Sequence, residues 1–166
     1  KKQYTEEDNM NTVIKEIIDK KEKEIISKEV LYDLPEWFGL PESTKEYIKD
    51  SQDKPFLACY ADNEVAGFIV LNATSKDTAD IFVMGIKKKF HRMGIGTKLN
   101  TEFENMAKNL GYSYSQVKTV KMGHYKEYDI TNEFYIAMGY KELECFPTLW
   151  DEWNPCLVMI QKLYAY

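Results

Sequence analysis

The chain has 166 residues and a formal net charge of −5, with 44% apolar and 30% charged residues. That composition belongs to a globular protein rather than a disordered or fibrous one, and the length suits one domain burying roughly 70% of its unfolded surface. No apolar stretch nears the roughly 20 residues of a membrane span, and the mild acidity argues against a nucleic-acid-binding body, leaving room only for a local basic patch.

From Asp8 to about Ile26, Val13, Ile14, Ile17 and Ile18 fall on one helical face, so the spacing predicts a helix. Two prolines and a glycine in Asp33-Leu34-Pro35-Glu36-Trp37-Phe38-Gly39-Leu40-Pro41-Glu42 stop regular structure. Ser43 or Thr44 then caps a short helix carrying Tyr47 and Ile48. The period changes at Pro55–Tyr60 and Val65–Leu71, two apolar runs around Asp62-Asn63-Glu64, which read as an antiparallel hairpin. Ala79–Ile86 is a further strand. Gly96–Leu110 is the clearest helix, with Leu99, Phe103, Met106, Ala107 and Leu110 as its apolar stripe and Gly111 as its stop. Ser115–Val120 alternates like a strand, Thr131–Met138 is a short helix ended by Gly139, and Tyr140–Phe146 and Cys156–Leu163 are closing strands. The order α-α-β-β-β-α-β-α-β-β predicts an α/β domain on one mixed sheet.

The three cysteines, Cys59, Cys145 and Cys156, are odd in number and widely spaced, which fits reduced thiols in a cytoplasm. With only His91 and His124 beside them, no metal-ligand spacing appears, and no metal is expected. No secretory pattern stands at the start. The first residue is not Met, so a trimmed leader stays an open question.

The informative stretch runs from Ile81 through Gly85-Ile86-Lys87-Lys88-Lys89-Phe90-His91-Arg92-Met93-Gly94-Ile95-Gly96-Thr97-Lys98 to Leu99: a strand, a basic turn, two glycines, then a helix. First-turn amides of a helix lack internal partners and carry the positive end of its dipole, and glycines let backbone approach a phosphate. Lys87, Lys88, Lys89, Arg92 and Lys98 add positive charge to a negative chain. A P-loop requires Gly-Lys-Ser/Thr, whereas the order here is Gly96-Thr97-Lys98; a dinucleotide fingerprint requires a small residue where Leu99 stands. The plain alternative is a turn with a lysine-rich, solvated surface.

His91-Arg92-Met93-Gly94-Ile95-Gly96 resembles the Q/R-x-x-G-x-G/A motif of the GNAT N-acetyltransferase superfamily, with His91 where Gln or Arg is usual. Downstream, Phe134-Tyr135-Ile136-Ala137-Met138-Gly139-Tyr140 resembles the family's F-Y-x-x-x-G-F segment, with Thr131 where Ala is common and Tyr128 where Asn is common. The element order extends the resemblance from about Asp8 to Leu163. It implies a single GNAT-like domain over residues 1–166, with a central mixed, mostly antiparallel sheet of six to seven strands flanked by helices. It further implies direct transfer of an acetyl group from acetyl-coenzyme A to an amine, with backbone amides of His91, Arg92, Met93, Gly94, Ile95, Gly96 and Thr97 on the pyrophosphate. By the same resemblance Val83, Met84 and Ile86 offer backbone groups to the pantetheine arm and acetyl carbonyl, and Thr131 and Phe134 complete the cofactor contacts.

Tyr135 is the family's usual proton donor to the leaving thiolate, a role that a phenol with a pKa of about 10 can fill. The helical pattern turns Phe134 with Ile130, Ala137 and Met138 to the core and Tyr135 toward a cleft; the alternative is a packing tyrosine. The acceptor amine, with a pKa of about 10.4, requires a base. Asp80, in the strand region from which the family draws such groups, is the first candidate, and Glu36 the second. Asp151 and Glu152 can instead attract a cationic acceptor. His124 has a suitable pKa but no visible partner. Trp37, Phe38, Phe146, Trp150 and Trp153 either wall an acceptor pocket or cap a sheet edge. The expected partners are acetyl-coenzyme A and a primary amine of a small molecule, an aminoglycoside-like polyamine among them, or of a peptide. No nucleic acid, membrane or metal is expected, and a homodimer is left open. A noncatalytic coenzyme A-binding sensor or interaction module is the main alternative, and a nucleotide-binding protein a third.

Overall fold

A computed structural model describes residues 10–164. Its elements are β1 (Thr12–Glu16), α1 (Lys20–Leu31), α2 (Pro41–Ser51), β2 (Phe56–Ala61), β3 (Glu64–Ala73), β4 (Thr78–Ile86), α3 (Ile95–Asn109), β5 (Tyr114–Val120), α4 (Lys126–Ala137), β6 (Lys141–Asp151) and β7 (Asn154–Lys162). They form an α/β fold on a seven-stranded sheet in the order β1-β2-β3-β4-β5-β7-β6. β4 and β5 run parallel; the pairs β1–β2, β2–β3, β5–β7 and β6–β7 are antiparallel.

The expected first helix is overturned. Thr12-Val13-Ile14 is a β-branched run, and it forms strand β1 in register with β2, Thr12 opposite Ala61. Asp19 starts α1 by accepting the Glu22 amide at 2.8 Å, an N-cap that divides strand from helix. Ile17 is buried, whereas Val13 and Ile18 are exposed, so the four apolar residues never share a helical face. In α2 the cap position is Leu40 with Pro41 following; the Thr44 hydroxyl donates to the Leu40 and Phe38 carbonyls from inside the helix instead of capping it.

The chain divides into two compact units. One holds residues up to Val70 together with Val83–Glu102. The hairpin β2–β3 turns at Asp62 and Asn63, both with positive φ, and Phe56 stacks on Phe68 with ring centroids 5.1 Å apart. A Cβ on Gly67 would lie 2.6 Å from the Gly85 carbonyl oxygen, so the backbones of β3 and β4 meet there as only a glycine allows. A Cβ on Gly85 would meet Val30 and Leu34 at 3.0 and 3.1 Å, which seats the end of α1 against the end of β4.

The other unit holds Leu71–Phe82 and the chain from Phe103 onward. Its β4–β5 ladder runs from Thr78 opposite Tyr114 to Ile81 opposite Val117, and β5 pairs on its other side with β7 from Tyr114–Lys162 to Val120–Cys156. Phe103, Ala107, Val117, Leu157 and Met159 are buried. In the expected stripe of α3, Leu99, Phe103 and Ala107 are buried, but Leu110 is exposed beyond the helix end. α4 begins five residues before the expected Thr131. β6 is the outer strand of the sheet, and its ladder to β7 breaks between Phe146 and Asp151. Leu143, Phe146, Leu149 and Trp150 along it are exposed.

Candidate active site

Between β4 and α3 the backbone makes one tight excursion. The Lys87 amide donates to the Ala66 carbonyl at 2.8 Å, holding the strand end, and a single 3-10 turn follows over Lys88–Phe90. Arg92 and Gly94 then both take left-handed backbone, with φ of 63° and 77°. Such a conformation is uncommon outside glycine and turns successive N–H groups toward one side. The Lys98 amide closes the first helical turn on the Gly94 carbonyl at 3.1 Å. The amides of Ile95, Gly96 and Thr97 therefore stand ahead of the first helical bond and point along the positive end of α3. Apart from its chain neighbours, no described atom lies within 4 Å of where a Gly94 Cβ would be, so the turn is unobstructed on that side. Ile95 and Leu99 are buried and anchor the helix beneath the turn.

The expected reservoir of positive charge is mostly spent on carboxylates. Lys87 Nζ contacts Glu29 at 2.5 Å and Glu64 at 3.7 Å, Lys88 Nζ contacts Glu36 at 2.9 Å, and Lys89 pairs with Glu64. Lys98 Nζ donates to the Thr12 hydroxyl at 2.7 Å. Among the described residues, Arg92 and Lys98 are the two cations of this stretch without a carboxylate partner. His91 is committed as well: Nε2 lies 2.6 Å from the Ile86 carbonyl oxygen, and its ring meets Trp37 edge-on at 5.8 Å. The turn thus offers an anion its backbone, and the side chains beneath brace it.

Within the other unit lie the titratable candidates. Asp80 is buried, and its pKa is pushed up to about 6 by that burial, against the opposing pull of the Lys118 ammonium and a hydrogen bond from Gln116. Gln116 Nε2 donates to Asp80 Oδ1 at 3.1 Å from the directly paired position of β5. A carboxyl in that range exchanges protons readily near neutrality.

Tyr135 is 6% exposed, and burial first, then the neighbouring Tyr140, Asp80 and Tyr128, hold its phenol well above the ordinary value. It is therefore protonated at neutral pH, and a weaker acid than an exposed phenol. Its ring meets that of Tyr140 edge-on at 5.7 Å, and the Tyr140 hydroxyl shares a hydrogen bond of 2.6 Å with Ser115. The sequence reading of this helix needs correction. Tyr135 and Asn132 form the buried face, Phe134 and Met138 are half-buried, and Ile130 and Ala137 are exposed. Asn132 explains the reversal, because its amide donates to the Val120 carbonyl at 2.8 Å while its oxygen accepts from the Thr119 hydroxyl at 2.7 Å. A polar residue so satisfied packs inward at little cost.

The remaining candidates divide by place. Val83 is buried, and Met84 and Ile86 half-buried, on the part of β4 beyond its ladder to β5. Met93 and Thr97 are exposed on the turn. Thr131 is half-buried, with its hydroxyl donating to the Glu127 carbonyl at 3.0 Å. Glu36, the second base candidate, is held below the ordinary carboxylate range by Lys88, which makes it a weaker base. His124 is exposed, its Nδ1 3.2 Å from the Lys121 carbonyl oxygen. Among the described residues no cluster of His, Cys, Asp and Glu is placed to hold a metal ion, and no helix is long and apolar enough to cross a membrane. Asp33, Gln116 and Asn132 escaped the sequence reading. For Asn132 a signal existed in its spacing of three from Tyr135.

Known proteins share this fold. The profile of the acetyltransferase (GNAT) family matches residues 22–126. An uncharacterized N-acetyltransferase of Methanocaldococcus jannaschii is 26% identical over 107 residues, which are 64% of this chain and 65% of that protein's length. A structure assigned to the GNAT family from Desulfovibrio desulfuricans superposes with a TM-score of 0.79 at 13% identity, covering 93% of this chain and 100% of that one. A GNAT family acetyltransferase from Elizabethkingia anophelis, solved with acetyl-coenzyme A bound, gives 0.67 at 17% identity over 92% of this chain and 99% of its own. The profile takes in more than half of the chain, including the whole turn before α3, and the protein belongs to the GNAT acetyltransferase family.

Proposed function

We propose that this protein is an acetyl-coenzyme A-dependent N-acetyltransferase, with residues 1–166 serving as one such domain and a primary amine of a small molecule or peptide as acceptor. The observation that carries the reading is the turn at Arg92–Thr97: left-handed backbone at Arg92 and Gly94, first-turn amides of α3, and open space where a Cβ would stand. That cradle fits a diphosphate by its backbone donors. When bound, the cosubstrate supplies an activated acyl thioester. His91, Arg92, Met93, Gly94, Ile95, Gly96 and Thr97 line the diphosphate end; Val83, Met84 and Ile86 offer backbone groups to its arm, and Thr131 and Phe134 add contacts from α4. Three unpaired cysteines are consistent with a cytoplasmic location.

Two residues of the chain manage protons. Asp80 accepts the proton lost by the acceptor nitrogen, directly or through water, as the nitrogen bonds to the acetyl carbon. The Tyr135 hydroxyl gives its proton to the sulfur as the carbon–sulfur bond breaks, and a backbone N–H of β4 steadies the carbonyl oxygen, an effect worth about 2.7–4 kcal/mol in comparable sites. The test combines an amine panel, thiol release from acetyl-coenzyme A, and Tyr135→Phe. The expected result is release with at least one amine, and a kcat lowered about 100-fold in the variant with little change in coenzyme A affinity. Binding of coenzyme A with no thiol released from any amine would favour a sensor module, and unchanged turnover in the variant would remove Tyr135 from the mechanism.

A further inference from the structure

We propose that the segment Asp33–Trp37, which follows α1, is a strap that orders the turn Ile86–Gly96, and that Asp33, Glu36 and Trp37 are positioning residues acting through Lys88 and His91. Three contacts of different kinds carry this. Asp33 Oδ2 accepts the backbone N–H of Lys88 at 2.7 Å, Glu36 Oε1 pairs with Lys88 Nζ at 2.9 Å, and the Trp37 ring meets the His91 ring edge-on at 5.8 Å. His91 passes the constraint on, since Nε2 lies 2.6 Å from the carbonyl of Ile86, the last residue of β4. The strap is held at its own ends. Leu34 is buried against the position of Gly85, and the Phe38 carbonyl accepts the buried Thr44 hydroxyl of α2 at 3.4 Å.

Lysines beside a glycine turn ordinarily read as anion ligands. Here the partners of Lys88 lie 52 and 55 residues earlier in the chain, and both are carboxylates. A lysine whose ammonium and amide are both engaged by acids is a fastener. Its arrangement fixes the entry to the left-handed residue Arg92, a conformation with a cost that surrounding contacts must offset. Loss of the strap would let that backbone relax and the amides of the turn disperse.

The inference uses the acetyltransferase reading only in choosing coenzyme A as a probe. The experiment is a charge swap: E36K, K88E and the double variant, with Trp37→Ala and Trp37→Phe as a second pair. Amide hydrogen exchange is measured over residues 86–96 without ligand, and coenzyme A affinity by calorimetry. Each single reversal should speed exchange in the turn and raise the coenzyme A Kd by about fivefold, in keeping with a partly exposed ion pair. The double variant should bring both back to within about twofold of wild type, and Trp37→Phe should stay near wild type where Trp37→Ala does not. Exchange left fast in the double variant overturns the strap. Weakened binding that the double variant does not rescue, with exchange unchanged throughout, also overturns it and makes Lys88 a direct anion ligand. Exchange rescued in a protein that never binds coenzyme A supports the strap and sinks the acetyltransferase reading alone.

Discussion

Gly94 and Gly67 are both indispensable, for opposite reasons. Gly67 is confined by a neighbouring backbone, whereas Gly94 has open space around it and is confined only by its φ of 77°. Gly94→Val forces a β-branched residue into left-handed backbone and, on the proposed reading, adds methyl groups at the diphosphate cradle. It should raise the coenzyme A Kd about tenfold or more by calorimetry and cost about 1–2 kcal/mol of stability through the left-handed backbone. Asp80 presents a different contest. Its pKa in the unfolded chain is about 3.9, and in the folded protein it is about 6. Between those values the folded state holds the extra proton, so the group's contribution to stability is present at low pH and is lost as pH rises through about 6. Asp80→Asn should therefore gain up to ~3 kcal/mol in urea unfolding at pH 8 and gain little at pH 4. The wild-type rate should rise with pH around 6, and that limb should vanish in the variant.

At the scale of elements, legibility depended on how far away each side chain's partner lies. The hairpin β2–β3, strand β4 and helix α3 were legible because their signals are local: alternation, a turn at Asp62-Asn63, a stripe through Leu99, Phe103 and Ala107. β1 and α1 were read as one helix because four apolar residues also fit a period near 3.6; the β-branched run and the Asp19 cap were the contrary signal. The strand–turn–helix course of the glycine loop was legible, yet the pairing of its lysines was not, since Glu29, Asp33 and Glu36 reach them only through the fold. α4 was read with the wrong face inward, because Asn132 counts as polar until Thr119 and Val120 are beside it. Asn132→Leu leaves the Val120 carbonyl and the Thr119 hydroxyl without that amide, so it should lower stability by roughly 2–3 kcal/mol in chemical denaturation. A Leu that stabilised the protein would mean that this buried pair is not formed.

Across the whole molecule, ligand linkage offers a readout that needs no acceptor. Coenzyme A at 100 times its Kd should stabilise the folded state by about 2.7 kcal/mol, a shift of roughly 5–10 °C in Tm for a chain of this size. The shift should shrink in Gly94→Val at the same concentration, and its absence in the wild type would count against the cradle. The outer strand β6 has a practical consequence of its own. Among the described residues no strand pairs with its outer side, and Leu143, Leu149 and Trp150 stand in water beside it, so the rim can template the stacking of chain upon chain in concentrated solution. Pro147, with no N–H to offer, interrupts that template midway, and Glu142 and Glu144 repel a second copy brought alongside. Storage losses should grow as added salt mutes that repulsion, which makes dilute, low-salt buffer the gentler choice for this protein.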